Sequence, residues 1–294
     1  MINPKEHTVP EASDQRITDY LIGVFAELPT KSSIKKAIKA DRVLLNNRQA
    51  KSADIPKTGS TITLLESKSA IKPYPIDLEI IHEDDHLLIV NKPPGLPTSG
   101  NFYRSLESAL AHVRPLNGSN GQLHSPKPVH RLDSLTSGLI IAAKTINARL
   151  LFGKLFEAGD VHKTYHALVM GRTPEFGTMN FSVDGKSANT EFKRLTEVRS
   201  IKNDRLTLLE LKPKTGRTHQ LRIHCSESGY PIYGDPLYAK DTIRNKGLFL
   251  SAVRLQFVHP VTNKEVDVKI SSPSKFENRM NNEQKRWIRK YGHN

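Results

Sequence analysis

Six short apolar runs follow one another after residue 76 without helices alternating strictly between them: LEIIHEDD, HLLIVNK, LIIAAKT, TYHALVMG, RLTLLELK and LFLSAVRLQFVHP. Each has the length and the Leu, Ile and Val content of a strand. A doubly wound parallel sheet needs a crossover helix between successive strands, and this pattern does not supply them. The spacing therefore predicts an α+β fold with a mixed, mostly antiparallel sheet flanked by helices and loops. No GxGxxG and no Walker-type loop occurs, so nucleotide-cofactor chemistry has no support.

The chain ahead of these runs reads as a separate small α/β unit. Ile17, Tyr20, Leu21, Val24, Phe25 and Leu28 fall on one face of a helix that Pro29 ends. Ser32 and Ser33 can cap a second helix, with Ile34, Ala37 and Ile38 inward and Lys31, Lys35, Lys36 and Lys39 in solvent. Short strands at VLL and TITLL close the unit. The expected organisation is a loose N-terminus (1–13), the small domain (14–66), a linker (67–75), a large domain (76–272) and a basic C-terminal tail (273–294) that forms a solvated terminal helix or a disordered end.

Lysine and arginine number 44 against 30 aspartates and glutamates, a net charge of +14. Such a field favours polyanions, and nucleic acid is the leading partner class. No apolar run approaches the ~18 residues that span a bilayer, and the N-terminus lacks a signal-peptide core, so a cytoplasmic protein without membrane contact is expected. The single cysteine, Cys225, excludes an intramolecular disulfide and a cysteine-rich zinc site. A monomer is the default.

Three stretches carry polar groups where chemistry is presented. In HRLDSLTSG, Asp133 lies where a turn-rich loop meets the strand LIIAAKT; it either caps the turn through Thr136 or Ser137 or is a reactive group. In KPKTGRTHQLRIHCSESGYPIYGDPLY, a helix is expected from about Thr218, stopped by Gly229 and Pro231, with Arg217, His219 and Arg222 around its first turns, an arrangement that attracts anions. His219, His224 and Cys225 lack the spacing of a metal site, so no metal is expected. In KTYHALVMG, Lys163, Tyr165, Ala167 and Val169 share one strand face, so Tyr165 joins an apolar set but ends in a hydroxyl.

Taken in order, with VNKPPGL upstream, these stretches resemble the RluA family of RNA pseudouridine synthases over residues 77 to 272. The resemblance implies the pseudouridine synthase fold, RNA as partner and no cofactor. It assigns Asp133, Tyr165 and Arg222 as catalytic residues and Arg131 as the side chain that fills the gap left by a flipped uridine. His130, Arg217 and His219 fall beside them as RNA-binding candidates. SSIKKAIKADRVLLNN is similar to the alpha-L RNA-binding motif of the ribosomal protein S-four type, which makes Lys35 and Lys36 RNA contacts. This chain has Asn46-Asn47 where that motif has Asn-Gly, and Gly59-Ser60 where it has Gly-Asp. Ser251 in LFLSAV and the missing His-Pro after KPPGL are further departures, expected to touch the pocket and substrate choice.

The implied reaction breaks the N1–C1′ bond of uridine and rejoins the base through carbon 5. An ionised carboxylate can attack C1′ or remove a proton from C2′, and the residues leave the two open. Arg222 would hold Asp133 ionised and oriented against burial. The Tyr165 ring can stack on uracil and its oxygen accept the carbon 5 proton. Ribosomal RNA is the expected substrate, with transfer RNA and a non-catalytic RNA-binding or assembly role as alternatives.

Overall fold

The computed structural model describes residues 5–11, 14–25, 27–65, 71–100, 102–116, 118, 121–239 and 247–292. The chain divides into two compact units, Met1–Lys72 and Pro73–Asn294. Residues 67–70 of the expected linker and residues 1–4, 12 and 13 of the expected loose N-terminus lie outside the described residues.

The first unit runs β1 (Lys5–Thr8), α1 (Ile17–Tyr20), α2 (Lys31–Lys39), β2 (Val43–Leu45), β3 (Arg48–Gln49) and β4 (Thr61–Leu64), with sheet order β1-β4-β2-β3. Three expectations need correction. Residues 5–8 are not loose: they pair antiparallel with β4, Lys5 opposite Leu64. The helix expected through Leu28 ends at Tyr20. Beyond it the amides of Ile22, Val24 and Leu28 each reach back only three residues, and Gly23 takes φ +84°. This chain of tight turns still buries Leu21, Phe25 and Leu28 beside Ile17, because the apolar spacing suits either conformation. The α2 cap is Thr30 rather than Ser32 or Ser33: Ser33 N–H donates to Thr30 Oγ1 (3.1 Å) and Thr30 N–H to Ser33 Oγ (3.0 Å), a reciprocal capping box. Asn46 and Asn47 both take positive φ, 49° and 60°, so they make the two-residue turn of the β2–β3 hairpin that Asn-Gly would otherwise make.

The second unit contains β5 (Glu79–Glu83), β6 (Leu87–Lys92), α3 (Leu106–Val113), β7 (Gln122–Pro128), β8 (Ser137–Thr145), α4 (Ile146–Ala158), β9 (His162–Met170), β10 (Phe176–Met179), β11 (Thr190–Ser200), β12 (Asp204–Pro213), α5 (Gln220–Glu227), β13 (Leu250–Val258), β14 (Glu265–Lys269) and α6 (Ser274–Tyr291). Its strands form one mixed sheet, order β10-β11-β12-β9-β13-β8-β6-β5, with β7 paired to β8 and β14 to β13. Among the described pairings only β8–β13 is parallel. β6 and β8 are buried on both faces, which is why they read as unbroken apolar runs. Leu88, Val90, Ile140 and Ala142 face a core shared with α3, and Leu87, Ile89, Leu139 and Ile141 face one covered by Phe152 of α4.

The C-terminal tail is corrected as well. It is helical, one of the two expected forms, but docked rather than solvated: α6 buries Phe276 and Met280 in the main core. Its Glu283, almost fully buried, accepts from Ser200 Oγ at 2.9 Å, Arg279 at 2.6 Å and Arg286 at 3.1 Å. A polar periodicity hid an anchor made by two apolar residues and one paired carboxylate.

Candidate active site

The HRLDSLTSG loop is held from both ends. At its start His130 Nε2 accepts the Ile141 N–H at 3.0 Å and the ring stacks on Phe156 at 4.8 Å. Burial, with the Lys163 charge second, lowers the imidazole pKa to about 3, so His130 is a neutral acceptor serving the scaffold. At its end Gly138 takes φ +110°, and a Cβ there would lie 2.1 Å from the Ala252 carbonyl oxygen, where β8 meets β13. Only glycine fits that approach.

VNKPPGL and the residues after it clamp the middle of the loop. Lys92 is fully buried, and its ammonium donates to the carbonyls of Pro93 (2.9 Å), Leu96 (2.9 Å) and Ser134 (3.1 Å). Burial lowers its pKa to about 8, and the charge of Asp133 opposes that shift. Thr98 Oγ1 donates to the Leu132 carbonyl at 2.8 Å, and Gly95 N–H donates to the Ser134 carbonyl at 2.7 Å. Thr98 therefore braces the loop, at the place where His-Pro is absent.

This scaffold frees the Asp133 carboxylate. Thr136 N–H donates at 3.0 Å to the backbone carbonyl of Asp133, so the turn is closed by main chain. The carboxylate instead has Arg222 Nη1 and His219 Nε2 each 3.7 Å from its Oδ2, with about a fifth of the side chain exposed (19%). These are loose contacts, long for direct hydrogen bonds.

Arg222 is gripped elsewhere. Its Nε and Nη2 donate to Asp235 at 2.7 and 2.8 Å, and the Tyr238 ring lies 5.0 Å from its guanidinium. Asp235 is fully buried and also accepts the N–H groups of Leu237 (2.9 Å) and Tyr238 (3.1 Å). Burial works against both charges, but the pair and the two amides outweigh it: Asp235 is lowered and Arg222 raised. The Tyr238 hydroxyl makes a 3.0 Å hydrogen bond with His219 Nδ1.

The helix that carries Arg222 begins at Gln220 rather than Thr218, after His219 in a left-handed conformation (φ 57°). Its first residue ties down the loop ahead of it. Gln220 Oε1 accepts from Arg217 N–H (3.0 Å) and Thr215 Oγ1 (2.7 Å), and Gln220 Nε2 donates to Asn189 O (3.0 Å) and Thr190 Oγ1 (3.0 Å). Arg222 is thus buried at 3% exposure and is no part of an open anion-binding face.

Tyr165 enters from β9, opposite Ala252 of β13 and Leu211 of β12. Burial, reinforced by the Asp133 charge, pushes its phenol pKa up and keeps it protonated. Asp133, Tyr165 and Arg222 line one cavity of about 690 Å³, with His130, Arg131, Arg217 and His219 also on its walls. Arg131 and Arg217 are exposed. Leu250 lines the cavity and its neighbour Ser251, fully buried, does not, so Ser251 touches no pocket surface. Lys35 and Lys36 belong to the first unit, exposed on α2. Sequence reasoning missed Asp235, Tyr238 and Lys92. Lys92 was signalled by a lysine closing an apolar strand, Asp235 only by a carboxylate within a turn.

Residues 86–227 match the family model described as RNA pseudouridylate synthase. The chain is 30% identical over 311 residues to ribosomal large subunit pseudouridine synthase D of Xanthomonas campestris, covering 94% of this chain and 91% of that one. It is 31% identical over 302 residues to ribosomal large subunit pseudouridine synthase C of Rickettsia prowazekii, covering 90% and 96%. The solved structure of human RNA pseudouridylate synthase domain containing 4 shares the fold, with TM-score 0.57 and 24% identity over 69% of this chain and 93% of that one.

Proposed function

The chain belongs to the RNA pseudouridylate synthase family, and is thereby an isomerase acting on RNA; from that premise we propose that it converts uridine to pseudouridine in ribosomal RNA with Asp133 as the reacting carboxylate. The observation that carries this reading is the carboxylate itself: relieved of turn duty by its own backbone carbonyl, it lies in the cavity with Arg222 and His219 each 3.7 Å away. Ribosomal RNA is supported by the names of the relatives above.

A flipped uridine entering the cavity meets Asp133 beside its sugar and the Tyr165 ring beside its base. The carboxylate either bonds to C1′ as the N1–C1′ electrons leave with the base, or takes the C2′ proton to leave a glycal. The base then turns and carbon 5 bonds to C1′, displacing the Asp133 oxygen on the first route or, on the second, as Asp133 returns its proton to C2′; the carbon 5 proton is then lost and N1 gains one. Atoms and electrons balance without an external group. The protonated Tyr165 phenol is suited to stacking; as acceptor of the carbon 5 proton it would first have to pass on its own. Extruding the base costs a few kcal/mol, and exposed Arg131 at the cavity edge can fill the vacated place in the stack. Lys35 and Lys36, with Arg217 and His219, supply phosphate contacts. The first unit acts as an RNA-binding module of the ribosomal protein S-four type, and the protein works as a cytoplasmic monomer.

Sequencing-based maps of pseudouridine in ribosomal and transfer RNA, from cells with and without the gene, test the substrate. Loss of one or more ribosomal sites is expected; loss confined to transfer RNA would overturn the ribosomal reading, and no loss in either would overturn the activity in the cell.

A further inference from the structure

One cation on the cavity wall, Lys163, has no task in the reaction. Lys163 lies two positions before Tyr165 on β9, and both line the cavity. Its ammonium is half-buried and forms no ion pair or hydrogen bond among the described residues; its charge faces the Phe156 ring, 5.5 Å from the centroid. A Cβ placed on Gly216 would come within 4.0 Å of Lys163 Nζ, so the ammonium lies against the backbone of the Lys214–Arg217 loop. Lys214 and Arg217 on that loop are exposed cations. Burial lowers the Lys163 pKa with no carboxylate in opposition, whereas Asp133 opposes the same shift at Lys92.

A desolvated ammonium without an anion is electrostatically incomplete. Two residues along a strand span about 6.6 Å. Lys163 therefore lies past the edge of a base stacked on Tyr165, on the side where β9 begins at exposed His162.

We propose that Lys163, with the Lys214–Arg217 loop, forms a phosphodiester subsite that grips the RNA backbone next to the uridine being isomerised. The missing anion is a backbone phosphate, and the ion pair completed on binding holds the sugar over Asp133. The inference rests on the RNA isomerase reading.

The test compares wild type, Lys163→Met and Lys163→Arg on ribosomal and transfer RNA from cells lacking the gene, measuring turnover and, separately, binding against salt concentration. Lys163→Met should raise KM about tenfold, leave kcat within about threefold, and make the salt dependence of binding shallower by about one phosphate, with Lys163→Arg restoring all of these. An unchanged KM and salt slope would overturn the subsite. So would a fall in kcat at constant KM, which would place the charge on the departing base, or an arginine variant no better than methionine. If wild type modifies neither RNA, the isomerase reading fails by itself, and the salt slopes still decide whether Lys163 meets a phosphate.

Discussion

Arg222 is bound to Asp235 by two hydrogen bonds of 2.7 and 2.8 Å, and this grip leaves Nη1 as the guanidinium edge 3.7 Å from Asp133. The stronger partner of the arginine is thus Asp235 and not Asp133. A bidentate pair fixes the plane of the guanidinium, so its field at Asp133 is set before substrate arrives.

Asp235→Asn removes the charge and keeps the shape. It should destabilise the second unit by about 3–5 kcal/mol, the usual effect of leaving one buried ion without its partner. Turnover should fall more than RNA affinity, because Arg222 then loses its fixed plane opposite Asp133. Thermal melts and a separate measurement of kcat and KM check both; an unchanged melt would mean that the pair contributes little to the fold.

Acid should destabilise the fold earlier than carboxylate titration alone would. His130 titrates at about 3 in the folded chain against 6.5 as its ordinary value, and burial also lowers His166, His224 and His259. The unfolded chain therefore binds more protons below about pH 6.5, and stability falls as pH drops from there toward 3. Glu83, held down to about 2 chiefly by its hydrogen bond from Arg114, adds a further loss below pH 4.5. Melting temperature measured from pH 8 to pH 4 should decline from about 6.5 downward, and His130→Gln should flatten the slope. A flat profile above pH 5 would contradict the buried neutral histidines.

Lys35 and Lys36 are exposed on α2, so Lys35→Glu with Lys36→Glu should leave folding within about 0.5 kcal/mol of wild type. RNA binding should weaken at every sequence and lose part of its salt dependence. Filter binding at several salt concentrations checks this, and unaltered binding would remove α2 from the RNA-contacting surface.

The strands of the second unit were legible because doubly buried β6 and β8 carry unbroken apolar runs. β11 was not, since TEFKRLTEVRS places charges on its exposed positions and reads as polar. The reverse error occurred at residues 17–28, where helical spacing was satisfied by turns around Gly23. In the site, HRLD and TGRTHQLR single out Asp133 and Arg222 through the family resemblance they carry. Asp235 was hidden because its partner is chosen by the return of the chain after α5, which no local pattern encodes. His130 and Arg222 looked alike, as polar residues beside the loop and helix, yet one braces a strand amide and the other a buried carboxylate.

The most direct test of Asp133 as the reacting group is pseudouridine formation in ribosomal RNA from cells lacking the gene, by wild type and by Asp133→Asn. The variant should fold, bind RNA as wild type does and form no pseudouridine, since the turn is closed by the Asp133 backbone and not by its carboxylate. Equal modification by both proteins would contradict the account.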